Sequence, residues 1–119
     1  MKKTLVLGAS LNPLRYSNMA INRLVNNKFD VVAIGLREGH VAGVEISKEQ
    51  QLFDDIDSVT LYLNPQRQKE YYTYIVSLNP RRVIFNPGTE NPVFYGLLNE
   101  ASIPYELACT LVLLSTNQY

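Results

Sequence analysis

The chain has 119 residues, 46% of them hydrophobic, which is enough for one buried core but too few for a separate substrate domain. Its 11 Lys and Arg residues are balanced by 11 Asp and Glu residues, so the overall charge excludes the general attraction of a basic protein to nucleic acid or an anionic membrane. There is one cysteine, and no apolar run reaches the ~18 residues that a membrane span needs. We therefore expect a single cytoplasmic domain over residues 1–119, with neither nucleic acid nor membrane as a partner.

The first part of the chain reads as a strand, a helix and a second strand. Residues 4–7 form a short continuous apolar run, which is typical of a strand buried on both faces. From Ser17 to about Asn27, apolar residues recur mostly three to four positions apart, which predicts an amphipathic helix. A second apolar run at 31–34 predicts the next strand. This order is that of a βαβ unit.

The segment between residues 36 and 55 has a weaker pattern. Its scattered glycines predict a loop over 36–47 with a brief edge strand at 44–46. Residues 48–55 are interpreted as one or two helical turns, with Leu52 and Phe53 packed inward.

The rest of the chain again alternates between strands and helices. Asn64 is a suitable helix cap and Pro65 is favoured at the first helical position, so a helix is expected to begin there. Residues 108–114 are strongly apolar, but their pattern does not separate strand from helix. The predicted elements are a strand at 58–63, a helix at 65–78, a strand at 82–85, a helix at 92–101 and an edge strand at 103–107.

This alternation predicts an α/β protein with a three-layer, Rossmann-like fold and a mainly parallel sheet. Open sheets of this kind bind ligands at the carboxyl ends of their strands, where the strand order reverses. Loops 8–17, 35–39 and 86–91, together with Asn64-Pro65, each follow a predicted strand. We therefore expect them to meet at one edge of the sheet.

The loop after the first strand has the composition of a phosphate-binding loop. Gly8 and Ala9 place no bulky side chain at the strand end, and a helix that starts near Ser17 would direct free N–H groups towards an anion. The alternative is an ordinary strand-turn-helix joint with a serine as helix cap. Further donors in the loop are Ser10, Asn12, Arg15, Ser17 and Asn18.

The ends of the first two strands argue against NAD as the ligand. The fingerprint Gly-x-Gly-x-x-Gly is absent, and the second strand ends in Ile34-Gly35-Leu36-Arg37 without the acid that would bind a ribose 2′-hydroxyl. An arginine at this point suits a phosphorylated ribose, either the 2′-phosphate of NADP or the 3′-phosphate of coenzyme A, and Arg15 is a second candidate. For each arginine, a solvated surface role is the alternative.

Four segments of the chain carry a resemblance to a known family. They are Val6-Leu7-Gly8-Ala9-Ser10 with Asn12-Pro13 and Arg15-Tyr16-Ser17; Tyr62-Leu63-Asn64-Pro65; Val83-Ile84-Phe85-Asn86-Pro87-Gly88-Thr89-Glu90-Asn91; and Ala108-Cys109-Thr110. Together they closely resemble the small stand-alone CoA-binding proteins, relatives of the nucleotide-binding domain at the start of the succinyl-CoA synthetase α subunit. The resemblance extends over nearly the whole chain.

The resemblance implies a Rossmann-like domain with coenzyme A as its cofactor. The first loop would bind phosphates, the segment after the second strand would lie near the adenosine, and the ends of two later strands would follow the rest of the molecule. No metal ligand and no catalytic residue are expected. The implied CoA-binding residues are Gly8, Ala9, Ser10, Asn12, Arg15, Tyr16, Ser17, Gly35, Leu36, Arg37, Leu63, Asn64, Pro65, Asn86, Pro87 and Gly88.

The larger relatives transfer acyl and phosphoryl groups through a phosphohistidine on a separate domain, to which His40 does not correspond. We therefore expect a protein that binds CoA or acyl-CoA without catalysis of its own. Two alternatives stay open, an NADP- or other nucleotide-dependent enzyme and an interaction subunit of a ligase-like complex. A homodimer or an unknown protein partner is also left open. Cys109 is interpreted as a small packing residue, with a mixed disulfide to CoA as the alternative.

Overall fold

A computed structural model describes residues 2–119, which form a seven-stranded sheet with helices on both faces. Within these residues no helix has the length and apolar character to cross a membrane. The strands are β1 (Lys3–Ala9), β2 (Asp30–Gly35), β3 (Gly39–Val41), β4 (Val44–Ser47), β5 (Ile56–Leu61), β6 (Arg82–Phe85) and β7 (Tyr105–Leu107). The helices are α1 (Tyr16–Asn26), α2 (Pro65–Gln68), α3 (Tyr72–Leu78), α4 (Pro92–Glu100) and α5 (Thr110–Ser115), with a 3-10 turn at Lys69–Tyr71 between α2 and α3.

The strand order is β3-β4-β2-β1-β5-β6-β7, and every neighbouring pair is parallel except β3 with β4. The chain passes from β1 to β2 on one side and later returns to β5 on the other, so that Leu5 pairs with both Val32 and Val59. The order of the sheet therefore reverses beside β1. The predicted three-layer α/β fold with a mainly parallel sheet is confirmed.

Alternating side chains of the central strand join two cores, one on each face. Leu5 and Leu7 of β1 belong to the core that contains Ile75 of α3 and Phe94 of α4. Val6 belongs to the core on the other face, with side chains from α1 and α5. Because β1 is covered on both faces, its run of apolar residues is continuous rather than alternating.

The helix predicted for residues 48–55 is wrong. These eight residues run from the carboxyl end of β4 to the amino end of β5 without a helix, and Leu52, expected inside, is 76% exposed. The connection must traverse the length of a strand, ~20 Å for a six-residue strand. Eight helical residues reach only ~12 Å, whereas an extended chain reaches ~26 Å. Phe53 does pack against the core, as predicted.

Several other boundaries differ from the predictions. The predicted loop at 36–47 contains a strand, β3, and β4 lies inside the sheet between β3 and β2 rather than at its edge. The helix predicted at 65–78 is divided by the 3-10 turn, and the strand predicted at 58–63 occupies 56–61. The apolar segment at 108–114 is largely helical. β7 is an edge strand, as expected.

Candidate functional site

The loops singled out from the sequence follow β1, β2, β5 and β6, which are mutually parallel, so they emerge along one edge of the sheet. Direct contacts join them. A Cβ atom added to Gly8 would lie 2.9 Å from the carbonyl carbon of Tyr62, and one added to Gly35 would lie 2.2 Å from the carbonyl oxygen of Ala9. The structure thus brings these segments together as one edge, which we call the carboxyl edge.

The two glycines have a different role from the one that we expected. The missing side chain of Gly8 was predicted to leave room for a ligand, but the atoms nearest its Cβ position belong to Tyr62 and Leu63, and those nearest the Cβ position of Gly35 belong to Ala9 of β1. Gly8 in addition has a φ of +94°, a backbone angle that residues with a Cβ atom rarely adopt. Gly8 is therefore required for the loops after β1 and β5 to pack against each other, and Gly35 for the close pairing of β1 with β2.

Within the loop after β1, side-chain oxygens accept hydrogen bonds from the loop's own backbone. Ser10 Oγ accepts from the Asn12 N–H at 3.1 Å, and Asn12 Oδ1 accepts from the Leu14 N–H at 3.0 Å. The Asn18 amide donates to the Ser10 carbonyl oxygen at 3.0 Å and ties the loop to α1. With these oxygens engaged, the Ser10 hydroxyl proton and the Asn12 amide hydrogens are the groups available to an acceptor.

Helix α1 begins directly after this loop and has no side-chain cap among residues 2–119. Arg15, in an extended conformation, occupies the cap position, so the alternative in which a serine caps this helix is wrong. Ser17 is only 3% exposed, whereas Arg15 and Tyr16 are exposed. The uncapped first turn presents N–H groups and the positive end of the helix dipole at this edge.

The segment after β2 lies against the first loop. A Cβ atom on Gly39 would come within 2.7 Å of a methyl carbon of Leu11, which shows that the two loops are in contact. Leu36 and Arg37 are exposed. Within residues 2–119 neither Arg15 nor Arg37 forms an ion pair. Two uncompensated cations thus belong to neighbouring loops.

The loop after β5 is shaped by its helix cap. Asn64 Oδ1 accepts from the Arg67 N–H at 3.0 Å, and Pro65 is the first residue of α2, which confirms the predicted cap. Leu63 is buried and contacts the Cβ position of Gly8, while Asn64 is exposed.

The loop after β6 is a tight turn. The Thr89 N–H donates to the Asn86 carbonyl oxygen at 3.0 Å, with Pro87 and Gly88 as the central residues. Gly88 has a φ of +94°, which fits a turn of type II. Its N–H donates to Glu90 Oε1 at 2.9 Å, so the Glu90 carboxylate already has a partner in the chain.

The side chain of Asn86 is used within the protein. It is 2% exposed; its amide donates to Thr60 Oγ1 at 2.7 Å and to the Leu61 carbonyl oxygen at 2.8 Å. Its Oδ1 atom accepts from the Thr110 N–H at 2.8 Å, and the hydroxyls of Thr60 and Thr110 bond to each other at 2.8 Å. Asn86 therefore fastens β5, β6 and α5 together, and the exposed part of its turn is Pro87-Gly88.

A second buried amide belongs to Gln68, whose burial was not predicted from the sequence. It is fully buried, and its Nε2 atom donates to the carbonyl oxygens of Leu63 and Thr89, both at 2.8 Å. Its Oε1 atom accepts from the Asn91 amide at 2.9 Å. Gln68 lies in a run of polar residues from Gln66 to Glu70, where the composition gives no sign that one member is buried.

Tyr62 and Cys109 lie beside the Asn86 cluster. The Tyr62 hydroxyl is buried and has no hydrogen-bond partner among residues 2–119. Burial raises the pKa of Tyr62 to about 12, and the nearby hydroxyls of Thr60 and Thr110 act in the opposite direction. Cys109 is partly exposed at the cap position of α5, so its thiol is less enclosed than that of a core residue.

Two cavities lie beside the β3–β4 hairpin rather than over the first loop. One, of about 120 Å³, is lined by β2, β4 and residues 51–53; the other, of about 310 Å³, contains Glu38, Gly39 and His40 in its wall. His40 is exposed, as expected, although it lies in β3. Within the described part of the chain, no group of His, Cys, Asp and Glu side chains is arranged to hold a metal ion.

Comparisons with known proteins agree with this architecture. A family model described as a CoA binding domain matches residues 2–115. The crystal structure of an uncharacterized protein is similar over 100% of this chain and 98% of that one, with 44% identity and a TM-score of 0.96. A conserved hypothetical protein from Pyrococcus furiosus is 23% identical, over 94% of this chain and 98% of that one (TM-score 0.84). A protein from Thermus thermophilus is 21% identical, over 99% of this chain and 90% of that one, with a TM-score of 0.88. No curated protein is significantly similar.

Proposed function

Because the chain belongs to the family of CoA binding domains, whose model covers residues 2–115, we propose that it binds coenzyme A or acyl-CoA at the carboxyl edge. The observation that carries this proposal is the uncapped start of α1, directly after β1 and beside the point where the strand order reverses. A pyrophosphate at a helix start of this kind accepts backbone N–H bonds and interacts favourably with the helix dipole.

In this proposal the loop after β1 is a phosphate-binding loop. Its remaining donors are the hydroxyl of Ser10 and the amide of Asn12, and Arg15 supplies an exposed positive charge. Gly8 and Ala9 shape the loop, and Tyr16 and Ser17 supply the first N–H groups of α1. Tyr16, which is 69% exposed, has an aromatic face available to the ligand.

The nucleotide end of CoA carries a phosphate on its ribose, and we assign this group to the segment after β2. Arg37 there is exposed and without an ion pair in residues 2–119, and a guanidinium binds phosphate through paired hydrogen bonds. Gly35 and Leu36 would lie beside the adenosine. The pantetheine arm would then follow Leu63-Asn64-Pro65 and the turn Asn86-Pro87-Gly88.

We further propose that binding, without catalysis, is the activity of this domain, which would comprise residues 1–119 and act in the cytoplasm. The arrangement of Glu90 supports this, because its carboxylate accepts a hydrogen bond from the Gly88 N–H and, within residues 2–119, is not hydrogen-bonded to a nucleophile that it could activate. Incubation with acetyl-CoA tests the point, since an increase in free thiol would show that the protein cleaves the thioester.

Thermal unfolding with added ligand tests CoA binding directly. CoA should raise the melting temperature of the protein by mass action, and NADP should not. Arg15→Glu should abolish most of this shift because it reverses an exposed charge beside the phosphates. Arg23→Glu is the matched control, with the same charge change on an exposed residue in the last turn of α1.

The outcomes separate the alternatives. A shift with NADP and none with CoA would favour a nucleotide-dependent enzyme. No shift with either ligand would contradict the proposal and favour an interaction subunit. Equal losses of the CoA shift in the Arg15 and Arg23 variants would place the phosphates elsewhere than at the start of α1.

A further inference from the structure

The buried amide of Gln68 connects two loops of the carboxyl edge. Its nitrogen donates one hydrogen to the Leu63 carbonyl, in the loop after β5, and the other to the Thr89 carbonyl, in the loop after β6. Because both bonds leave the same nitrogen atom, the two loops cannot separate without breaking one of them. A carbonyl buried without a donor would be costly, so the loops are held at a fixed spacing.

The orientation of this amide is itself fixed. The Asn91 amide donates to Gln68 Oε1 at 2.9 Å and to the Tyr72 hydroxyl at 2.8 Å, while Asn91 Oδ1 caps α4 by accepting from the Phe94 N–H at 3.3 Å. If the Gln68 amide were flipped, its nitrogen would face the Asn91 nitrogen and its oxygen would face two carbonyl oxygens. The network therefore has one arrangement, with every member satisfied.

We propose, on the basis of the function proposed above, that Gln68 is a positioning residue for the pantetheine arm of CoA. Gln68 is fully buried and cannot touch the ligand, but it sets the spacing between Leu63-Asn64-Pro65 and Asn86-Pro87-Gly88. The loop after β1 contacts Leu63 at Gly8, but its donor-bearing part is held to α1 by the bond from the Asn18 amide to the Ser10 carbonyl oxygen. Loss of the Gln68 amide therefore weakens binding of the pantetheine arm and leaves binding of the nucleotide end intact.

Titration with two ligands tests this separation. Adenosine 3′,5′-bisphosphate keeps the 3′-phosphate and the first 5′-phosphate of CoA, and lacks the second phosphate of the pyrophosphate and the pantetheine arm. Gln68→Met, which keeps the side-chain length and removes the donors, should lower the affinity for CoA about tenfold and change that for the bisphosphate by less than about twofold. A purely structural role would lower both affinities together.

Two further variants complete the test. Thr4→Val removes a part-buried hydrogen bond, that between the hydroxyls of the buried Thr4 and of Tyr119, at the opposite end of β1, and should leave both affinities unchanged. If Gln68→Met does not fold, Asn91→Ser replaces it, since serine retains a helix cap for α4 but loses the bond to Gln68. Parallel loss of both ligands, or no loss of either, would overturn the positioning role. Failure of the unmodified protein to bind CoA would instead overturn the proposed function.

Discussion

Gly35 is a residue whose replacement should be severely destabilising for a purely steric reason. A Cβ atom there would lie 2.2 Å from the carbonyl oxygen of Ala9, in the backbone of the adjacent strand, which cannot move without breaking its own pairing. We expect Gly35→Ala to lower the free energy of unfolding by about 3 kcal/mol. The midpoint of urea denaturation measures this change. A loss below about 0.5 kcal/mol would mean that β1 and β2 adjust their spacing freely.

Individual residues differ in how well the sequence discloses their role. The cap at Asn64 could be predicted because it depends only on the identities of Asn64 and Pro65. The burial of Gln68 could not, since it depends on two carbonyls, of Leu63 and Thr89, that approach only after the sheet has formed. Short-range chemistry is readable from the sequence, whereas hydrogen bonds between distant loops are not.

Helix α4 contains a glycine, Gly96, although the packing around this position leaves room for a side chain. A Cβ atom on Gly96 would meet no heavy atom within 4 Å in the described residues, and its φ is not positive. Alanine is favoured over glycine inside a helix by about 1 kcal/mol, so Gly96→Ala should raise the free energy of unfolding by up to that amount. Urea denaturation checks the sign, which is opposite to that expected for Gly35→Ala. A destabilised variant would show that this face of α4 is occupied in solution.

Helices and strands whose apolar residues recur at regular intervals could be predicted from the sequence. Segments whose conformation depends on the distance between strands or on pairing with a neighbouring strand could not. The extended connection at 48–55 is required by the distance between the ends of β4 and β5, which the sequence does not contain. β3 has three residues and derives its regular form from pairing with β4. α5 is apolar along most of its length, a composition that suits a strand or a helix equally.

For the molecule as a whole, burial of tyrosines predicts a loss of stability in alkali. The pKa of Tyr62 is raised from 10.0 to about 12, so the folded state keeps its proton more tightly than the unfolded state. This stabilisation is complete below pH 10 and is lost as the pH rises towards 12. The pKa values of Tyr71, Tyr74 and Tyr119 are raised as well, with burial as the main cause.

The contribution of Tyr62 can be isolated with Tyr62→Phe. Between pH 8 and pH 11 the unmodified protein should lose about 1 kcal/mol more than this variant, measured by urea denaturation at each pH. At pH 8 the variant should be at least as stable as the original, because the deleted hydroxyl has no partner in residues 2–119. Equal losses in the free energy of unfolding of the two proteins would show that water reaches the Tyr62 hydroxyl.

The central position of β1 has a consequence for synthesis of the chain. Among the described strands β1 is made before the others, but one of its two neighbours, β5, is not complete until residue 61 has been made. Until then the side of β1 that pairs with β5 exposes unpaired backbone N–H and C=O groups, which are a template for aggregation. The contact between Gly8 and Tyr62 is equally late. A ligand that contacts the loops after both β1 and β5 can bind only chains that extend beyond β5. Such a ligand would stabilise those chains against unfolding and would not stabilise shorter, truncated products.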